Sequence, residues 1–198
     1  MVVLVTVACI IALSLVTEVF IPHSKYTKAV DLLNNSNFSE SRTLFSELGD
    51  YKDSADMVNE CYYQQALALA NEAKYDNART LFSSLGVYKD SESQILATYY
   101  TEGEEYMKIR KYSDAATYFA KAGSYNDAAS KANTAQTYIS YESAEKEFTE
   151  GNLNSAYEIY KKLPTDFEDV KERISLIEPY LSMCGEWEEV EETNYIYN

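Results

Sequence analysis

The sequence predicts an all-α protein: an α-solenoid of antiparallel helix hairpins preceded by one N-terminal transmembrane helix. Three observations carry this expectation. The stretch Leu44-Phe45-Ser46-Glu47-Leu48-Gly49-Asp50-Tyr51-Lys52-Asp53-Ser54 recurs 37 residues on as Leu81 to Ser91, and again 37 on, weakened, as Tyr118 to Ala128. A period of that size is the mark of stacked supersecondary units. Between these stretches the apolar residues fall at helical spacing. Finally, residues 2–21 form one apolar run with Glu18 as the only charge, about the length that crosses a hydrocarbon core of about 30 Å.

The apolar run comes first in the chain. No basic segment precedes it and no small-residue cleavage site follows, so it reads as an uncleaved anchor and not a signal peptide. Pro22 is expected to stop this helix, with His23, Lys25 and Lys28 at the interface. The expected location is therefore the cell membrane, single-pass, with the lipid bilayer engaged through residues 2–21 and the side of the repeats left open.

Four units follow, offset by 37, 37 and 41 residues. The first-helix stripes are Tyr26, Ala29, Leu33, then Tyr63, Ala66, Ala70, then Tyr100, Gly103, Met107, then Tyr141, Ala144, Phe148. Spacing of i, i+3, i+7 is one face of a helix. The second-helix stripes run Phe38, Ser41, Phe45, then Tyr75, Ala78, Phe82, then Tyr112, Ala115, Phe119, then Leu153, Ala156, Tyr160. Helices are expected at 54–72, 76–85, 91–109, 113–122, 127–149, 154–163 and 168–183, after a partial first helix at 25–34. The domains read as a transmembrane anchor at 1–22, four hairpin repeats over 23–184 (23–53, 54–90, 91–127 and 128–184) and an acidic tail at 185–198, expected to fray.

The links between units have their own chemistry. Gly49, Gly86 and Gly123 each follow an apolar stripe, where a left-handed residue closes a helix and glycine meets no steric penalty. Asp53, Asp90 and Asp127 come four residues later, placed to accept from free N–H groups of the next helix. Tyr51, Tyr88 and Tyr125, between glycine and aspartate, are expected to plug neighbouring hairpins. In the fourth unit Leu163-Pro164-Thr165-Asp166 replaces the glycine turn, and Asp169 with Glu172 is expected to cap the following helix.

These residues resemble the tetratricopeptide repeat. The small residues at Ala66, Gly103 and Ala144, those at Ala78, Ala115 and Ala156, and the aromatics Phe82, Phe119 and Tyr160 match its helix–turn–helix pattern over residues 25 to about 184. The period is longer than the family's, and Gly-x-Tyr-x-Asp stands where the family has its proline. The anchor plus repeats also resembles bacterial membrane-anchored repeat proteins. The resemblance implies a concave groove lined by first helices, which would hold a peptide or protein partner against Glu60, Tyr63, Leu67 and Asn71, then Ala97, Tyr100, Glu104 and Lys108, then Tyr138, Tyr141 and Glu145. The three tyrosines Tyr63, Tyr100 and Tyr141 share a face with Ala66, Gly103 and Ala144, so they fit either a ligand-facing ladder or the core.

The formal charge of -15 and pI near 4.4 oppose a nucleic-acid partner, because that affinity rests on Lys and Arg releasing counterions. The single histidine, His23, and the absence of H-E-x-x-H, G-x-S-x-G and P-loop patterns argue against an enzyme, with no catalytic residues, cofactor, metal site or small-molecule substrate expected. Cys9, Cys61 and Cys184 lack metal or disulfide spacing. The Asp50, Asp53, Asp56 run lacks the central glycine and terminal glutamate of a calcium loop. The expected function is a membrane-anchored scaffold that binds partner proteins or peptides; the alternative is a structural spacer that holds another domain, or the membrane, at a distance.

Overall fold

The computed structural model describes the backbone of residues 20–194, with Thr6, Val7 and Ile10, and side chains as far as Met183. Among these residues the chain is all-helical, without strands. We number its helices α1 (Ile21–Asn34), α2 (Phe38–Leu48), α3 (Ser54–Asn71), α4 (Tyr75–Leu85), α5 (Ser91–Lys108), α6 (Tyr112–Ala122), α7 (Ala128–Thr149), α8 (Leu153–Tyr160) and α9 (Val170–Asn194). The chain divides into two compact units, Met1–Glu102 and Gly103–Asn198, with the division inside α5.

The transmembrane helix of the sequence expectation is corrected. No helix among the described residues is long and apolar enough to cross a membrane. Most of residues 2–21 lies outside the described residues, and α1, which begins at Ile21, is amphipathic and carries His23, Lys25, Lys28 and Asp31. Pro22 does not stop a helix; it lies in the first turn of α1, where its missing N–H removes no intrahelical bond.

Each hairpin forms where the sequence alternates two amphipathic stripes across a three-residue turn. The turns repeat a left-handed residue at Ser36, Ala73, Arg110 and Gly151, with φ of 61°, 57°, 59° and 85°. A turn this short makes packed neighbours antiparallel. In the first unit α1 packs on α2, α2 on α3 and α3 on α4; in the second, α6 packs on α7, α7 on α8 and α8 on α9.

The core repeats as the stripes do. Ala29, Ala66 and Ala144 in the first helices, Ser41, Ala78, Ala115 and Ala156 in the second, and the rings of Phe45, Phe82, Phe119 and Tyr160 are all fully buried. Small residues let two helices approach, and the ring fills the space between them. Ser41, the one hydroxyl in its series, donates to the carbonyl of Ala29 at 2.8 Å, so its burial leaves no orphaned donor. Burial raises the pKa of the Cys61 thiol beside it, in keeping with a packing residue.

Gly103 stands where the other first helices have alanine. A Cβ built there meets Phe119 Cδ1 at 2.9 Å and Cε1 at 3.0 Å. Gly103→Ala therefore sets a helix-propensity gain of about 1 kcal/mol against overpacking of about 1–3 kcal/mol. Phe119 is fully buried, so displacing its ring costs packing, and a net loss of about 1 kcal/mol is expected on that balance. Urea unfolding checks it: a variant more stable than the parent would show that the ring gives way.

The links differ in detail from the expectation. Gly49, Gly86 and Gly123 have φ of 55°, 56° and 60° with ψ near -121°, -120° and -115°. That is the first corner of a type II′ turn, closed by Tyr51 N–H to Leu48 O, Tyr88 N–H to Leu85 O and Tyr125 N–H to Ala122 O, each at 3.1 Å. It is not the left-handed helical conformation, yet it demands glycine as strongly. A second turn follows at Tyr51, Tyr88 and Tyr125, and the fourth unit keeps it at Phe167: Val170 N–H bonds Phe167 O at 3.1 Å, and Glu168 takes the positive φ of Lys52, Lys89 and Asn126. The last helix continues past Gly185 as far as Asn194.

Candidate functional site

Among the hollows of the described residues, one in each unit holds sequence-predicted residues of the first helices. In the first unit Leu33 and Asn34 end α1, Ser36 and Phe38 turn into α2, and α3 supplies Glu60, Gln64, Leu67, Ala68 and Asn71 around a space of about 490 Å³. The i, i+4, i+7 spacing of Glu60, Gln64, Leu67 and Asn71 puts them on one face of α3. In the second unit Glu104, Met107 and Lys108 of α5 face Ser130, Lys131 and Thr134 of α7 around about 340 Å³, with Phe119 and Asp127 completing the wall.

Of the sequence-predicted residues, Glu60, Leu67 and Asn71 meet in the first hollow, and Glu104 and Lys108 in the second. Tyr63 and Tyr141 line neither. Tyr63 is buried with Ala66, Ala78 and Phe82, its ring edge-on to Phe82 at 5.7 Å, and Tyr141 packs against Tyr160 and Phe167. Tyr100 is half-buried on α5, and Ala97 is half-buried one turn before it. Tyr138 stacks on Tyr112 at 4.4 Å and 8°. Of the two roles left open for the ladder, Tyr63 and Tyr141 take the core.

The tyrosine hydroxyls account for the aspartates. Neither Asp53 nor Asp127 makes a side-chain cap bond. Instead Tyr26 donates to Asp53 at 2.6 Å, Tyr63 to Asp90 at 2.5 Å and Tyr141 to Asp169 at 2.5 Å. The first helices α1, α3 and α7 thus clasp the start of the next, and the carboxylate still sits at the positive end of that helix. Arg173 also approaches Asp169, at 3.1 Å.

The three candidate glutamates, Glu60 and Glu104 in the hollows and Glu145 outside them, are engaged within the chain. Glu60 accepts from Tyr88 at 2.9 Å, Gln64 at 2.9 Å and Lys89 at 2.5 Å. Burial alone would raise its pKa; the bonds from Lys89, Gln64 and Tyr88 more than reverse that and hold it below the usual carboxylate value. Glu104 pairs with Lys131 at 2.7 Å. Glu145 accepts from Tyr160 and from Arg173 at 2.9 Å. The residues that sequence reasoning missed are Leu33, Asn34, Ser36, Phe38, Gln64 and Ala68 in the first hollow and Met107, Phe119, Asp127, Ser130, Lys131 and Thr134 in the second. The repeat offset was the available signal, since Asn34 stands 37 residues before Asn71.

The same bonds tie stability to alkaline pH. Burial first, then the carboxylate each hydroxyl meets, raises Tyr63, Tyr88 and Tyr141 to about 12, and Tyr160 is raised further by burial and Glu145. An unfolded tyrosine titrates near about 10. Above that pH the unfolded chain holds fewer protons than the folded one, so stability falls as pH rises. It is expected to be fully present below about pH 10 and lost progressively toward about pH 12. Denaturant midpoints across that range should fall less steeply in Tyr63→Phe/Tyr141→Phe than in the parent; equal slopes would assign the loss to other groups.

Among the described residues no three of His, Cys, Asp and Glu come together to hold a metal ion. Compared with protein-family models, with curated proteins and with solved structures, the chain matches none.

Proposed function

We propose that the chain is a helical-repeat interaction module, built of tetratricopeptide-like hairpins, that binds segments of partner proteins in the hollows of its first helices and performs no chemistry of its own. The observation that carries this reading is the first hollow. Its acid, Glu60, is paired from within by Lys89, so the space is faced mainly by the uncharged polar groups of Asn34, Ser36, Gln64 and Asn71, with a smaller apolar part from Leu33 and Leu67. Such a lining suits a peptide main chain, because each buried amide group of the peptide needs a partner.

A photo-crosslinking residue placed at Asn71 or Lys108 is expected to give discrete protein adducts that unlabelled chain competes away, while the same residue at Thr80, exposed on α4, gives none. Asn71→Lys should weaken the captured complex yet change stability by less than about 0.5 kcal/mol, as exposed positions do. Adducts of equal yield at all three positions would refute the reading.

The spacer reading has one observation in its favour. Tyr63, Tyr141, Glu60, Glu104 and Glu145 are all committed to bonds within the chain, as in an array whose task is to hold a shape. No adduct at either hollow would favour it.

A further inference from the structure

The last helix carries a second surface, separate from the hollows. α9 starts on the same turn as the other first helices and buries Val170 and Ile177 completely, with Ile174 and Leu181 packed beside them. On another face Leu176, Tyr180 and Met183 are 55%, 57% and 50% exposed. They hold the positions that Glu60, Gln64 and Leu67 hold in α3. α9 runs on to Asn194, about 20 Å beyond Leu181 at 1.5 Å per residue, and Pro179 leaves the Ser175 carbonyl without its helical partner near the start of this extension.

The spacing of the exposed residues is that of a coiled-coil seam, and the sequence continues it: Leu176, Tyr180, Met183, Trp187 and Val190 step by 4, 3, 4 and 3 residues. Apolar residues at a and d positions form a seam that needs a facing helix. The sequence around it decides which helix. Residues 186–192 hold five glutamates and no Lys or Arg, with Glu186 and Glu191 at the g and e positions that flank the seam. Like charges there repel across an interface and at i, i+4 within one helix. A second copy would set these glutamates against one another; a helix with Lys or Arg at its flanks would neutralise them.

We propose that the α9 seam is a docking surface for an amphipathic helix of another protein, apolar at a and d and basic at e and g. This goes beyond the hollows and does not depend on their binding anything.

The test uses the full chain and two synthetic peptides of four heptads, both with Ile at a and Leu at d, one with Lys and the other with Glu at e and g. Trp187 is the chain's single tryptophan and reports on the seam by its emission. The Lys peptide is expected to shift that emission saturably and to bind at least roughly tenfold more tightly than the Glu peptide, a difference that shrinks with added salt. Leu176→Glu/Met183→Glu, at exposed positions, should abolish the shift while the melting curve stays in place. Glu186→Lys/Glu191→Lys should invert the peptide preference. Equal binding of the two peptides, or no binding of the Lys peptide by the folded chain, overturns the proposal. So does a dimer of the chain alone in sedimentation that Met183→Glu dissociates, which would give the seam to a second copy.

Discussion

Arg79→Leu is expected to destabilise the first unit by about 3–5 kcal/mol, the range for a buried ion pair that loses one partner. The Arg79 side chain is 8% exposed, and Glu102, which it meets at 2.8 Å, is 15% exposed. Its other partner, Asp76 at 2.6 Å, is open to water, and the guanidinium lies over the Tyr99 ring at 4.2 Å. Burial would lower the Arg79 pKa, but Asp76 and Glu102 more than reverse this and leave it raised. Removing the arginine frees Asp76 at little cost and strands the largely buried Glu102 carboxylate without its partner. The preceding hairpin supplies the control. Arg42 stands 37 residues earlier, stacks over Tyr62 at the same 4.2 Å, and bonds the neutral Gln65 at 3.2 Å. Arg42→Leu loses the stacking and one weak bond but strands no charge, so about 1 kcal/mol is expected. Arg79→Leu/Glu102→Leu should regain most of the single-variant loss, since a well-packed apolar pair often replaces a buried ion pair without penalty. Urea midpoints of the four proteins decide it. Equal losses in Arg79→Leu and Arg42→Leu would mean that stacking, and not the stranded carboxylate, sets the effect.

What the sequence made legible was whatever a short-range pattern determines. The stripes Ala66, Ala70 and Ala78, Phe82 foretold both helices of a hairpin and the residues at its core, because helical periodicity and burial are one constraint. The glycine links were legible as stops but not as type II′ corners, because glycine is the answer to several backbone geometries. Asp53, Asp90 and Asp169 illustrate the harder case. Their spacing to the next helix fits a cap, but a tyrosine 27 or 28 residues earlier, on the first helix of the same repeat, reaches the carboxylate, and nothing local reveals that competition. Phe167 was hidden by Leu163-Pro164 beside it, although the turn it opens is the one Tyr125 opens. The hollows were half legible: α3 showed its face through periodicity, while the opposing wall at Asn34, Ser36 and Phe38 depends on how α1 packs. The apolar run at residues 2–21 shows the limit of composition as a guide, since hydropathy measures what a segment can do and α1 begins within its last residues as an amphipathic helix.

Phe82→Ala is expected to be the other large loss, about 3–5 kcal/mol for a fully buried aromatic ring that leaves a cavity. Set against a total of about 5–15 kcal/mol for a domain, that removes roughly a fifth or more of the first unit's stability. The ring is fully buried between Ala66 and Ala78 and takes the edge of Tyr63 at 5.7 Å. The alanines have no longer rotamer with which to close the gap, so little relaxation offsets the cavity. Its equivalents at Phe45, Phe119 and Tyr160 suggest that any aromatic serves, but the facing residue separates them. Tyr160 donates its hydroxyl to Glu145, whereas Leu67, half-buried in the Phe82 cluster, holds the position in α3 that Glu145 holds in α7. Phe82→Tyr would bury a hydroxyl against that leucine, and an unsatisfied polar group costs about 1–3 kcal/mol. Conversely, Tyr160→Phe should be mild, because Arg173 still pairs with Glu145 at 2.8 Å. Thermal and urea unfolding of the three variants should rank Phe82→Ala as the most damaging, Phe82→Tyr as intermediate and Tyr160→Phe as nearly neutral. If Phe82→Tyr matched the parent, the hydroxyl would have found a partner or water, and the choice between phenylalanine and tyrosine at this repeat position would not be set by the residue it faces.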